Sequence, residues 1–226
     1  MRNRPAKGDV LSHDAESLLR AIWRSQMHVE PRLLETLPPS VARALEHIWE
    51  PAEILLTDLK RFPLGLLRLW QASERGHIVF AAEGPFIYRP GPQVWQGRRD
   101  GPVYEWEGVC LISVAEAKVG QKPEAWMPLL RFFDHLLGNC AQGDGGWFSE
   151  GCGISTPLAR AAARFVELEA LHYGHEALQA TSAGDYFART LWLRAMDRSH
   201  LNVLDPLLCK LYDTTLFDPT FWRRAL

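Results

Sequence analysis

Cysteine is scarce in this chain of 226 residues, and Cys110, Cys140, Cys152 and Cys209 show none of the CxxC spacings that a zinc ribbon needs. With no export signal in view, such residues are expected to stay as free or buried thiols, so no disulfide is predicted. Cys140 and Cys152 flank a Gly-rich stretch and are the pair whose proximity the sequence favours. Also missing is any apolar run of the length that crosses a bilayer. The basic start, Met1-Arg2-Asn3-Arg4-Pro5-Ala6-Lys7, leads into polar residues rather than the apolar stretch of a secretory signal. A soluble protein of the reducing cytoplasm with no membrane partner is therefore expected. Charge of one sign is not in surplus either: a formal net charge of -2 and a pI near 6.4 give no global field for phosphate backbones, and nucleic acid is not expected as a partner. Internal repeats and low-complexity tracts are absent.

What is present is an ordinary globular composition, 47% hydrophobic and 23% charged. A chain of this length buries roughly 70% of the surface its unfolded form exposes. One domain, residues 12–226, is enough, preceded by a flexible segment at 1–11 whose charge, Pro and Gly lack periodicity. Leu18, Leu19, Ile22 and Trp23 predict a first helix from Ser12 to Gln26, with Ser12 or Asp14 as N-cap. Pro38-Pro39-Ser40 opens a second, with Val41, Leu45 and Ile48 on one face and Pro51 near its end. Then the period changes. Ile54-Leu55-Leu56, His77 to Ala81, Phe86-Ile87-Tyr88 and Val103 to Trp106 read as short strands, while Leu64 to Trp70 fits strand or helix. A small sheet is expected between about 54 and 115, with turns at Glu83-Gly84-Pro85 and Arg89-Pro90-Gly91-Pro92. Helices follow at Trp126 to Gly138, Pro157 to His172, Ala183 to Met196 and Asp205 to Leu211, with a short one from Asp218 and a Gly-rich loop from Gln142 to Thr156.

Four segments of the second half carry a family likeness. These are Gly101-Pro102-Val103 through Trp106; Phe133-Asp134-His135-Leu136-Leu137-Gly138; Ala180-Thr181-Ser182-Ala183-Gly184-Asp185-Tyr186-Phe187-Ala188; and Asp205-Pro206 through Tyr212 to Asp218-Pro219. In order and spacing they resemble the Mlc titration factor A family of zinc-dependent peptidases, whose metal-binding domain is similar to that of anthrax lethal factor. The resemblance implies an α+β, zincin-like metallopeptidase fold with N-terminal helices, a small mixed sheet and a helical C-terminal part. In that family the active helix carries His-Glu-x-x-His, two imidazoles one turn apart for one zinc ion with the Glu as general base. Counting back from Asp134 and Gly138 places those positions at Met127, Pro128 and Arg131. A thioether is a poor zinc ligand, proline has no acid-base group, and a guanidinium repels a cation.

The family's third ligand is a Glu, and the matching position is Asp185. One carboxylate does not make the three-ligand set of a catalytic zinc, so no zinc and no other cofactor is expected there. Arg131 facing Asp185 as an ion pair is the expected replacement. Because proline belongs in a helix's first turn, Pro128 predicts a start near Trp126, with Pro123 opening an extra turn.

The resemblance thus implies a pseudo-peptidase that binds a protein or peptide partner, since its namesake binds a transcriptional repressor; the groove is expected to be lined by Met127, Arg131, Asp185 and neighbouring aromatics. The alternative is a metal-dependent hydrolase with relocated ligands at His172, His175 and Glu176, the densest metal-capable group in the chain. Against it stands the bland reading of a helix end, where His suits the dipole. Cys152 as a thiol nucleophile with His135 or His172 as base is weighed the same way against a free loop cysteine. Nine Trp and ten Phe are mostly core, with Trp126, Trp147, Trp192 and Trp222 near the degenerate cleft.

Overall fold

The structure is a computed structural model and describes residues 7–96, 103–119, 123–138 and 145–226; for residues 7–13 and Val119 the backbone alone is described. Helix α1 (Lys7–Gln26) starts inside the segment expected to be frayed and runs into strand β1 (Met27–Val29). Two short helices, α2 (Leu33–Thr36) and α3 (Pro39–Ala44), lead to α4 (Glu50–Leu59) and α5 (Leu64–Ser73), and α1 packs against both of these longer helices. Pro51 opens α4 rather than closing the helix before it, because a first-turn residue has no helical acceptor for its N–H. Ile54-Leu55-Leu56, expected as a strand, is the middle of α4. The residues it buries, Pro51, Ala52, Leu55 and Leu59, follow helical spacing, which three adjacent apolar residues do not reveal.

Strands β2 (Ile78–Ala81), β3 (Tyr88–Gln96) and β4 (Val103–Ser113) join β1 in one sheet of order β1-β2-β4-β3. The first three in that order are parallel, and β3 is an antiparallel edge strand. Every residue of β2 is buried, as expected of a central strand covered on both faces. Arg89-Pro90-Gly91-Pro92 is not a turn: it lies within β3, at a register shift between Arg89 and Pro92. An edge strand tolerates prolines because the missing N–H is not needed by a neighbour. The outer half of β4 pairs with β3 alone and extends the sheet as a two-stranded ribbon, where Trp95 stacks on Trp106 and Val94, Val103 and Tyr104 are exposed.

After α6 (Val114–Val119), the long helix α7 (Pro123–Gly138) packs on β4 and β3. It opens at Pro123, where the extra turn was expected, but runs unbroken past Trp126, which leaves Pro128 in the helix interior at the cost of one backbone hydrogen bond. A 3-10 turn (Phe148–Glu150), α8 (Thr156–Glu169), α9 (His175–Leu178) and α10 (Ala183–Met196) follow, then α11 (Arg198–Leu204), α12 (Pro206–Thr214) and α13 (Pro219–Ala225). These last three are each opened by an aspartate: Asp197, Asp205 and Asp218 accept from the N–H of His200, Leu208 and Thr220. The fold is mixed α+β, dominated by helix. No helix among the described residues is long and apolar enough to cross a membrane.

Asp205 is the buried member of that cap series, and its second oxygen accepts from Tyr186 Oη of α10 at 2.7 Å. Asp205→Ala removes a cap and strands a buried hydroxyl, a loss of about 2–4 kcal/mol. Urea denaturation should show that deficit, and a smaller one for Asp205→Asn, which keeps the cap acceptor.

Candidate functional site

Helix α7 places Met127 half-buried against the core, Pro128 fully buried and Arg131 partly exposed. Met127 and Arg131 lie one turn apart on the side turned toward α10, and a Cβ on Gly184 of α10 would lie only 1.2 Å from Arg131 Nη1. The guanidinium is therefore within reach of the start of α10, yet it does not pair with Asp185. It donates to Asp134 Oδ2 at 2.9 Å and lies 4.6 Å from the ring centre of Trp147. Asp185 keeps access to water, accepts from Thr181 Oγ1, and its own N–H donates to Ser182 Oγ as part of the α10 cap. The expected pair loses to a simpler one. Asp134 sits three residues from Arg131 on the same helix and is completely buried, so it is the carboxylate that most needs a cation.

Asp134 also accepts from Ser149 twice, from the backbone N–H at 2.7 Å and from Oγ at 2.8 Å. Burial pushes its carboxyl up to about 7, against the opposing pull of Arg131 and the Ser149 bonds. Its neighbour His135 meets the Tyr88 hydroxyl through Nδ1 at 2.7 Å and stacks on Trp147. The visible signal for this network was a charged residue, Asp134, inside an otherwise apolar helix face.

Among the described residues, one group brings three metal-capable side chains together: Glu169, His172 and His175, whose ligand atoms lie within 4.8 Å of one another. Glu169 ends α8, His172 occupies the following turn with φ 56°, and His175 opens α9. His175 Nε2 is 3.2 Å from Glu169 Oε1, and the two imidazole centroids are 4.4 Å apart. The expected third member, Glu176, is exposed and outside the group; one residue beyond His175 on a helix, it points about 100° away. Glu169 takes that place because the turn folds α9 back toward the end of α8. Tyr186 stacks on His175 at 4.1 Å, and burial together with Asp205 raises its hydroxyl far above the ordinary tyrosine range.

Cys152 is half-buried with its Sγ against the loop at Gly146, where a Cβ would lie 2.1 Å away; Cys140 lies outside the described residues. His28 and His77 meet at 3.1 Å and stack on Trp106. Burial, and for His28 the neighbouring His77, lowers both, His28 to about 4, so they form a neutral pair under the ribbon. The cavities near α1 and α4, near α4 and α10, beside Trp106, and between α5 and α13 are lined by residues other than Met127, Arg131 and Asp185.

No family model matches this chain, and neither a curated protein nor a solved structure does.

The raised carboxyl of Asp134 has a pH consequence with a definite sign. The native state prefers the protonated acid, so this contribution is complete below the unfolded value near 3.8 and is lost as pH rises to about 7. Denaturant titrations across pH 4 to 8 should show stability falling through that window, and a shallower fall for Asp134→Asn.

Proposed function

We propose that this chain is a non-catalytic protein of zincin-like, peptidase-like layout that binds a protein or peptide partner. The observation that carries the reading is the chemistry at the α7 positions matched to His-Glu-x-x-His. Met127, Pro128 and Arg131 supply neither a ligand pair nor a base, and Arg131 is committed to Asp134 and Trp147. Support for the layout comes from α10 lying along α7 with Asp185 at its first turn, and from a small mixed sheet packed beside α7.

The binding surface in this reading shifts from the groove around Met127, Arg131 and Asp185, whose groups are packed or paired, to the adjoining edge. Among the described residues no strand pairs with the outer edge of β3, which packs on α7, and its ribbon exposes Val94, Val103 and Tyr104. An extended peptide adds to such an edge through main-chain hydrogen bonds, with exposed apolar and aromatic residues supplying the side-chain contacts.

Two measurements test the reading. Elemental analysis of Met127→His, Pro128→Glu, Arg131→His in a His172→Ala background should show a zinc equivalent gained over the His172→Ala parent, as two imidazoles at i and i+4 require. Unfolded casein, as an extended-peptide probe, should be retained by the unaltered chain without being cut, and Val94→Asp should weaken retention. Cleavage of casein that is abolished by Met127→Ala or Arg131→Ala would overturn the reading, as would retention indifferent to the ribbon.

A further inference from the structure

The turn between α8 and α9 holds a group that the reading above does not use. Two imidazoles and a carboxylate are the ligand set of a borderline-soft divalent cation, and three protein ligands with a fourth position left to water is the composition of open zinc sites. The spacing agrees. With bonds of about 2.0–2.1 Å in tetrahedral array, neighbouring ligand atoms stand about 3.3 Å apart, and His175 Nε2 stands 3.2 Å from Glu169 Oε1.

An alternative is a plain ion pair between a protonated His175 and Glu169. It fails on alignment: His175 Nε2 is shielded from water and makes no hydrogen bond, although the carboxylate oxygen is within range. A buried ring nitrogen without a hydrogen bond is costly, whereas two atoms converging on a common third point carry no such requirement. The ion pair also leaves the His172 ring without a role, although one of its nitrogens lies within 4.8 Å of both the other ligand atoms.

The group is held in place from behind. Leu168 and Phe165 bury the end of α8 in the core. The His175 ring lies 16° from parallel to Tyr186, whose hydroxyl donates to the buried Asp205. Gly174 makes that contact feasible, since a Cβ there would lie 2.9 Å from Tyr186 Oη. On the other side His172 is exposed, which leaves the fourth position facing solvent.

We propose that Glu169, His172 and His175 form a binding site for one divalent cation of the zinc class, with water as its fourth ligand.

The test is titration of the full-length, metal-stripped protein with Zn²⁺ alone by calorimetry, with Co²⁺ as a spectroscopic stand-in. One equivalent should bind saturably, and Co²⁺ should give the visible bands of a four-coordinate site. Glu169→Gln, His172→Ala and His175→Ala should each weaken binding by about a hundredfold or more, since even partners of metal ligands are worth tenfold to a hundredfold. Glu176→Gln, Met127→Ala and Arg131→Ala should change nothing. His172→Ala decides the matter if His175→Ala proves unstable, because His172 is exposed. Absence of saturable binding, or binding unaffected by His172→Ala and Glu169→Gln, would overturn the site and leave the reading of α7 untouched. Zinc lost on Met127→Ala or Arg131→Ala instead would overturn both.

Discussion

The burial of α7 is the constraint on which the other elements depend. From Ala125 to Gly138 its residues are buried except Met127 and Arg131, so the helix must be covered nearly all round. Strands β4 and β3 cover one side, and α5, α8, α10 and the 3-10 turn cover others. A helix this apolar is stable only inside a shell, and the shell is the rest of the domain. What remains for polar contact is a narrow stripe, Glu124, Met127 and Arg131, spaced three and four residues apart. That stripe meets α10: Arg189 donates to Glu124 at 2.7 Å, and Arg131 lies against Gly184. Two of the three positions that the family resemblance singles out, Met127 and Arg131, thus lie on this stripe, while Pro128 is buried.

Two polar residues nevertheless enter the core with α7, and their needs shape the loop that follows. Asp134 draws Arg131 from the stripe and Ser149 from the 3-10 turn, while His135 takes the Tyr88 hydroxyl of β3. Buried polar groups that find partners fix one arrangement of their surroundings, because every alternative leaves a group unsatisfied in a low-dielectric interior. Trp147 fills the space between, with the guanidinium on it and the His135 ring stacked against it. Helix, edge strand and loop are tied at one point.

The second half of the chain was far more legible in sequence than the first. Ala183 to Met196 is helix α10 to the residue, because Ser182 and Asp185 give a local cap signal that needs no tertiary context. Asp205-Pro206 and Asp218-Pro219 did the same for the helices they open. Where the signal was nonlocal, reading failed. Ile54-Leu55-Leu56 lacks a period of its own, β1 is a three-residue strand that exists only as a partner of β2, and the prolines of β3 look like a turn until the strand is known to be an edge. The candidate sites divide the same way. The family resemblance singled out Met127 and Arg131, and their spacing put them on one helical side, but the partner of Arg131 depends on how deeply Asp134 is buried. Two of the three metal-capable residues were visible as His172 and His175. Glu169 was not, since its approach depends on a left-handed turn that composition does not encode.

The two polar constellations differ in whether their requirements are met. Around Asp134 three donors converge on the carboxyl, so each of its oxygens has a partner even though burial still raises it. At the end of α8 the electrostatics remain open. A carboxylate at a helix C-terminus faces the negative end of the macrodipole, an unfavourable placement worth about 0.3–1 kcal/mol that a neighbouring cation reverses. Glu169 holds that position, and the two groups beside it are imidazoles, either of which can carry a proton or coordinate a metal. A proton on His175 would offset the charge but would leave its Nε2 without an aligned acceptor and His172 uninvolved. A divalent cation offsets the carboxylate and the dipole together and engages both rings.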